Sequence, residues 1–222
     1  MIAMILAAGR GERMRPLTDS TPKPLLKVAN KPLIEWHLEK LSQNGFKKVL
    51  INMAHLGEMI PASLGDGSRW GLEITYLDER KSGALESAGA IVNALKHLSE
   101  EFLVLNGDIW CDYTFDSRYK LKDSLAHLIL VPNPDHNKEG DFEYKGNKLT
   151  FSGIGYYSKK MFEQLSMQKL ALAPVLRENI AKNQIDFEVH KGIWMDIGTP
   201  QRLNEANQLF KKLHSMEKNY EI

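Results

Sequence analysis

Residues 2–11 read Ile2-Ala-Met-Ile-Leu6-Ala-Ala-Gly9-Arg-Gly11, a short apolar run that opens into small residues and two glycines. A run of that length bounded by glycine reads as a buried strand followed by a tight backbone turn. Arg10, Glu12, Arg13 and Arg15 follow at once and no basic segment precedes the run, so a strand fits better than a secretory leader. A glycine turn of this kind gathers backbone N–H groups into a concave anion site, and a phosphate chain is its natural guest. Two phosphate loops are excluded by position. A dinucleotide-binding G-x-G-x-x-G needs glycine where Met14 stands, and a P-loop counted from Gly9 needs its second glycine at the same place.

Outward from this loop, the stretch from Gly9 to Pro32 is polar and punctuated by glycine and proline, long enough to carry function. The spacing of Ile34, Leu38 and Leu41 predicts a helix over 32–41, with Pro32 in its first turn and Gly45 closing it. Strands over 48–51, 73–77 and 102–105 then alternate with helices over 57–64 and 87–98. This alternation defines the α/β class, with a twisted, largely parallel sheet between helices. Leu125 to Val131 is a further apolar run, ended by Pro132-Asn-Pro134. From Asp141 to Tyr157 the strands are glycine-interrupted with no helix between them, which predicts a small β-rich subregion beside the sheet. Helices are expected over 161–165, 174–181 and 201–213, strands over 187–190 and 193–197, and a frayed tail over 217–222.

The chain has 222 residues with 43% hydrophobic content, within reach of one elaborated domain. Lys and Arg number 29 against 28 Asp and Glu, a formal charge of +1, too balanced for a protein that coats a polyanion. Nucleic acid and membrane are therefore not expected partners. No uninterrupted apolar run reaches the roughly 18 residues of a helical span. The lone Cys111 can form neither an internal disulfide nor a thiolate cluster, and a cytoplasmic location is expected.

Two cations flank the glycine turn. Arg13 offers a planar fork for two phosphate oxygens, whereas Lys23, in Pro22-Lys-Pro24-Leu25, is a compact charge able to follow one phosphoryl group. The prolines are expected to hold Lys23 in an extended segment. A phosphate chain pairs with a hard divalent cation, and Mg²⁺ takes one or two carboxylates and leaves places for phosphate and water. Asp108 ends the apolar run Phe102-Leu-Val-Leu-Asn-Gly-Asp108, and Asp196 stands in Ile193-Trp-Met-Asp196-Ile-Gly-Thr-Pro200. Singly, either aspartate also suits a turn or an N-cap. The seven histidines show no short ligand spacing, so zinc is not expected, and G-x-S-x-G is absent. His37 reads as structural or exposed, and the four scattered tryptophans as core or pocket wall.

The combination of LAAGRGERMRPLT with PKPL resembles the signature of the sugar-1-phosphate nucleotidylyltransferases. The resemblance implies a single Rossmann-like nucleotidyltransferase domain over 1–222, a twisted mixed sheet flanked by helices, with a nucleotide-binding part over 1–110, a β-rich sugar-binding part over 111–200 and a C-terminal helix over 201–213. It implies that Arg13 and Lys23 are catalytic, Arg13 holding the pyrophosphate and Lys23 bridging the reacting phosphates. Leu6, Ala8, Gly9, Gly11, Glu12, Glu86 and Gly89 would bind the nucleotide with them. Asn106, Gly107, Gly140, Asp141 and Ser152 would bind the sugar phosphate, and Asp108 with Asp196 would hold Mg²⁺.

Asn52, Leu64 to Leu72, Leu85 to Ala90, Gly140 to Phe142, Phe151 to Ile154 and Leu172 to Arg177 follow the order of the shorter bacterial members. That order implies UTP and N-acetylmuramate 1-phosphate as substrates, in peptidoglycan recycling, with GTP and mannose 1-phosphate as the alternative. A monomer or weak homodimer is expected. Larger relatives carry a second lysine in a Glu-Lys-Pro motif, absent here, for which Lys145 or Lys148 would substitute. Ser87 and Ala90 replace an expected Thr and Gly. The loop between Phe142 and Phe151 is short. A catalytically silent nucleotide-sugar sensor on the same fold is the competing class, and the presence of Arg13, Lys23, Asp108 and Asp196 favours the enzyme.

Overall fold

The computed structural model describes residues 1–80, 83 and 85–219, with side chains through Leu213. Among the described residues, twelve strands and five α-helices follow in order: β1 (Ile2–Leu6), β2 (Lys27–Val28), β3 (Lys31–Pro32), α1 (Leu33–Gln43), β4 (Lys48–Met53), α2 (Met59–Leu64), β5 (Glu73–Asp78), α3 (Glu86–Ala94), β6 (Glu101–Asn106), β7 (Ile109–Cys111), β8 (Ala126–Val131), β9 (Phe142–Tyr144), β10 (Asn147–Ser158), α4 (Leu172–Ala181), β11 (Ile185–Val189), β12 (Trp194–Asp196) and α5 (Pro200–Asn219). The main sheet runs β11-β8-β10-β6-β1-β4-β5, with β9 paired to β10. β6, β1, β4 and β5 are parallel, and β10 is antiparallel to both of its neighbours on that path, β6 and β8.

The alternating pleat of β1 explains the layers. Ala3 and Ile5 face one side, where they pack with Ile34, Leu38 and Leu41 of α1 and Ile60 and Leu64 of α2. Met4 faces the other side, packed with Ala88 and Ile91 of α3 and Val175 and Leu176 of α4. Both faces of β1 are therefore buried, and each such aliphatic side chain contributes roughly 1.5–3 kcal/mol.

A smaller third cluster gathers several loop segments. Met14 from the glycine loop, Leu26 and Val28 beyond Lys23, Ile197 after β12 and Ala206 of α5 pack together. Four segments meet at one corner through these apolar contacts, and Asn207 of α5 adds hydrogen bonds by accepting the Ala29 N–H and donating to the Lys27 carbonyl.

Three expectations change. The long strand of the β-rich stretch, β10, lies within the main sheet, and only β9 extends beside it, because the alternating residues Ile154 and Tyr156 complete one face of the core. Residues 161–165 form no α-helix. Buried Met161 and Phe162 are served by a 3-10 turn at Lys159–Met161, which the Ser158 hydroxyl caps by accepting the Lys160 N–H. Helix α5 continues to Asn219, so unravelling does not begin at Glu217, and the last three residues of the expected tail lie outside the described residues. Among the described residues no helix is long and apolar enough to cross a membrane.

Candidate active site

The parallel strands β1, β4 and β6 end at one edge, where open α/β sheets gather ligand-binding groups. A cavity of about 370 Å³ sits there, lined by Leu6, Ala7, Ala8, Gly9, Gly11, Lys23, Pro24, Asn52, Glu79, Glu86, Ser87, Asn106, Gly107 and Asp108. Gly11 has φ +69°, and a Cβ there would meet Thr18 Cγ2 at 2.8 Å. The Thr18 hydroxyl donates to the Gly11 carbonyl at 2.8 Å, pinning the turn from a position only 2% exposed. Gly107 allows the closest approach of strand ends: its N–H donates to the Leu6 carbonyl at 2.9 Å, and a Cβ would press on that same oxygen.

Lys23 heads a 3-10 turn, Lys23–Leu25, entered through extended Pro22. The expected extended segment is thus confined to Pro22, because the Leu25 and Leu26 N–H groups bond back to Pro22 and Lys23. The turn directs the Lys23 ammonium to the Asp108 carboxylate. Asp108 follows β6, and its carbonyl accepts the Ile197 N–H at 2.6 Å. β7 and β12 pair antiparallel with Asp196 opposite Ile109, so Asp196 is brought beside the turn that carries Asp108. Asp196 Oδ1 accepts from Arg202 Nη1 at 2.7 Å and contacts His136 Nε2 at 2.8 Å. Thr199 supports this arrangement by accepting the Arg202 N–H at the start of α5, where Pro200 occupies the first position.

The remaining expected residues separate into two groups. Leu6, Ala8, Gly9, Gly11, Lys23, Glu86, Asn106, Gly107 and Asp108 line the cavity. Arg13 stands exposed on the 3-10 turn after Gly11, outside that lining. Glu12 on the same turn is engaged by Arg10 at 3.1 Å and Arg15 at 3.6 Å. Gly89 is also outside the lining; it brings α3 against the carbonyl of Gln168, and its N–H donates to Leu170. Gly140, Asp141 and Ser152 serve the β10 region. Gly140 has φ +63° beside Asn133, Asp141 accepts the Phe151 N–H at 2.8 Å, and the buried Ser152 hydroxyl donates to Ile129 at 2.7 Å. Lys145 and Lys148 are exposed around the β9–β10 turn, outside the cavity.

Asn52 and Glu79 line the cavity and were missed as site residues. Their signal was position at the ends of β4 and β5; Glu79, within Asp78-Glu-Arg-Lys81, instead reads as part of a solvated charge run. Burial pushes its carboxyl pKa up, opposed by hydrogen bonds from Asn52 and Leu85. His37 proves buried, 3% exposed, behind Asp108, and burial lowers its pKa to about 4. Trp36 and Trp110 wall a separate cavity of about 220 Å³ and meet edge to face.

A pocket lined by a glycine turn, a lysine and carboxylates is suited to phosphate esters, and comparison with known proteins agrees on the family. The nucleotidyl transferase family model matches residues 2–142. The chain belongs to that family and, within it, to the sugar-1-phosphate nucleotidyltransferases. It is 50% identical to N-acetylmuramate alpha-1-phosphate uridylyltransferase of Neisseria meningitidis serogroup B, over 94% of this chain and 98% of that protein. It is 37% identical to UTP–glucose-1-phosphate uridylyltransferase of Synechocystis over 147 residues, 60% of this chain and 38% of that longer protein. The solved CTP:phosphocholine cytidylyltransferase of Streptococcus pneumoniae superposes with a TM-score of 0.73 at 20% identity, covering 94% and 99% of the two chains; that likeness speaks for the fold.

Proposed function

We propose that this enzyme transfers a uridylyl group from UTP to N-acetylmuramate 1-phosphate, giving the UDP-sugar and pyrophosphate. The observation that carries the reading is the 50% identity to a uridylyltransferase of that specificity over 98% of its length. In this reading one phosphate oxygen of the sugar 1-phosphate attacks the α-phosphorus in line, and the bond to the β-phosphate oxygen breaks. The attacking group is already an anion near neutral pH, since the second pKa of a phosphate monoester is about 6, so no general base is required. Catalysis then rests on placement and charge neutralisation.

The glycine-turn amides from Ala8 to Gly11 cradle the triphosphate. Lys23 leaves Asp108 to neutralise charge on the reacting phosphates, and Arg13, exposed on the adjoining turn, reaches over the pyrophosphate. Asn106 and Gly107 lie beside the sugar phosphate, and Glu86 beside the nucleoside. The donor chemistry of Asp108 and Asp196, hard carboxylate oxygens on the turn before β7 and on its partner β12, fits Mg²⁺, which takes one or two protein carboxylates. Bound there, Mg²⁺ would supply charge neutralisation at phosphate oxygens. In this reading the enzyme works in the cytoplasm, in peptidoglycan recycling, as a monomer or weak homodimer.

The test is pyrophosphate release with UTP, GTP, CTP and dTTP against N-acetylmuramate, mannose, glucose and N-acetylglucosamine 1-phosphates. The UTP and N-acetylmuramate 1-phosphate pair should give the highest kcat/KM. A higher value for another pair reassigns the substrate, and no pyrophosphate from any pair would point to a binding protein.

A further inference from the structure

Glu79 follows β5 directly and lines the cavity while remaining only 1% exposed, and the phosphate chemistry above gives it no task. Its two carboxylate oxygens hold two different elements. Oε1 accepts from Asn52 Nδ2 at 2.9 Å, and Oε2 accepts the backbone N–H of Leu85 at 3.1 Å. Asn52, 3% exposed in β4, turns Oδ1 to the backbone N–H of Ala7, which donates at 2.8 Å. A relay of three buried hydrogen bonds thus joins the ends of β1, β4 and β5 to the residue preceding α3. Ala7 opens the glycine loop, and Leu85 leads into Glu86 and Ser87, so both ends of the relay carry cavity wall.

We propose that Glu79 is a positioning residue for the nucleotide: through Asn52 and Leu85 it fixes the spacing between the glycine loop and the start of α3. The inference rests on reading the cavity as the nucleotide site. The polarity of the relay makes the carboxylate necessary. Two backbone donors, at Ala7 and Leu85, cannot be reversed. The first orients the Asn52 amide with its oxygen toward Ala7 and its nitrogen toward position 79, so position 79 faces a donor on each side and must accept twice. Charge-assisted acceptance from two donors also compensates a carboxylate withdrawn from water.

Glu79→Gln presents an amide NH₂ to one of these donors and breaks a link. Asn52→Asp combined with Glu79→Gln moves the acceptor-only group to position 52 and the amide to position 79. All three links re-form in that double variant with unchanged net charge.

The experiment measures amide hydrogen exchange in the ligand-free chain, KM for each substrate, and thermal melting. In Glu79→Gln, exchange at the Ala7 or Leu85 amide should accelerate about tenfold and KM for UTP should rise about tenfold, as expected for one lost buried hydrogen bond. KM for the sugar 1-phosphate should stay near the parent value, and the double variant should restore exchange and KM together. Unchanged exchange, equal increases in both KM values, or no recovery in the double variant would each overturn the proposal. Failure of the parent chain to use UTP would instead refute the substrate reading, and the exchange arm would still decide whether the relay holds the loop.

Discussion

The Lys23 ammonium donates to the Asp108 carboxylate across 85 residues of sequence, and both groups line the same cavity. The Lys23 side chain is 11% exposed and that of Asp108 32%, so the pair holds a cation and an anion at the edge of water. Each charge is thereby held in place at the cavity wall.

Replacing Lys23 by Ala should lower kcat by roughly 10² to 10³, the range for removing one preorganised charge donor from a developing charge. Continuous pyrophosphate release under saturating substrates measures it. Turnover within a few-fold of the parent would take Lys23 out of the mechanism.

Asp108→Asn and Asp196→Asn should each shift the Mg²⁺ dependence of turnover to higher concentration. The second change should also reduce stability, because Arg202 and His136 both rest on Asp196. With the Asp196 side chain 21% exposed, the loss is expected near 2 kcal/mol, discounted from the roughly 3–5 kcal/mol of a fully buried pair. Mg²⁺ titrations of both variants that overlay the parent would refute the metal assignment.

His37 predicts a pH dependence of folding. Burial, aided by the charge of Lys40, lowers its pKa from 6.5 to about 4, while Asp108 and the Ile109 backbone pull upward. Between these values the unfolded chain binds a proton that the folded chain refuses, so stability falls as pH drops from about 6.5 to about 4. The decline is about 3 kcal/mol at about 1.36 kcal/mol per pKa unit. Urea midpoints at pH 7 and pH 5 should separate in the parent and converge in His37→Leu; an unchanged separation would show that other groups cause it.

Gly153 sits in the β10 bulge with φ +80°, and a Cβ there would lie 2.6 Å from Asn106 Nδ2. Gly153→Ala should therefore cost roughly 1–3 kcal/mol through backbone strain alone. It should also displace Asn106 and raise KM for the sugar 1-phosphate more than KM for UTP. Melting temperature and the two KM values check this, and equal KM shifts would remove Asn106 from the sugar side.

The class of fold and the centre of the site were legible because they are written in local patterns. The apolar run Ile2–Leu6 and its glycines fix a strand and a turn through short-range sterics, and Lys23, Asp108 and Asp196 mark ends of elements that periodicity delimits. The tertiary structure decided which polar groups lose water and which partners they find. Glu79 becomes a buried acceptor only when β4, β5 and Leu85 converge on it. Ser152 becomes a hydrogen-bonding partner of β8 only when β10 enters the main sheet, while Asp141 is held by the β9–β10 hairpin. Sequence alone determined the α/β alternation and the glycine turn after β1, since both follow from neighbouring residues. Division of labour among the charged residues was decided by contacts between distant segments, because desolvation and hydrogen-bond pairing depend on packing in three dimensions.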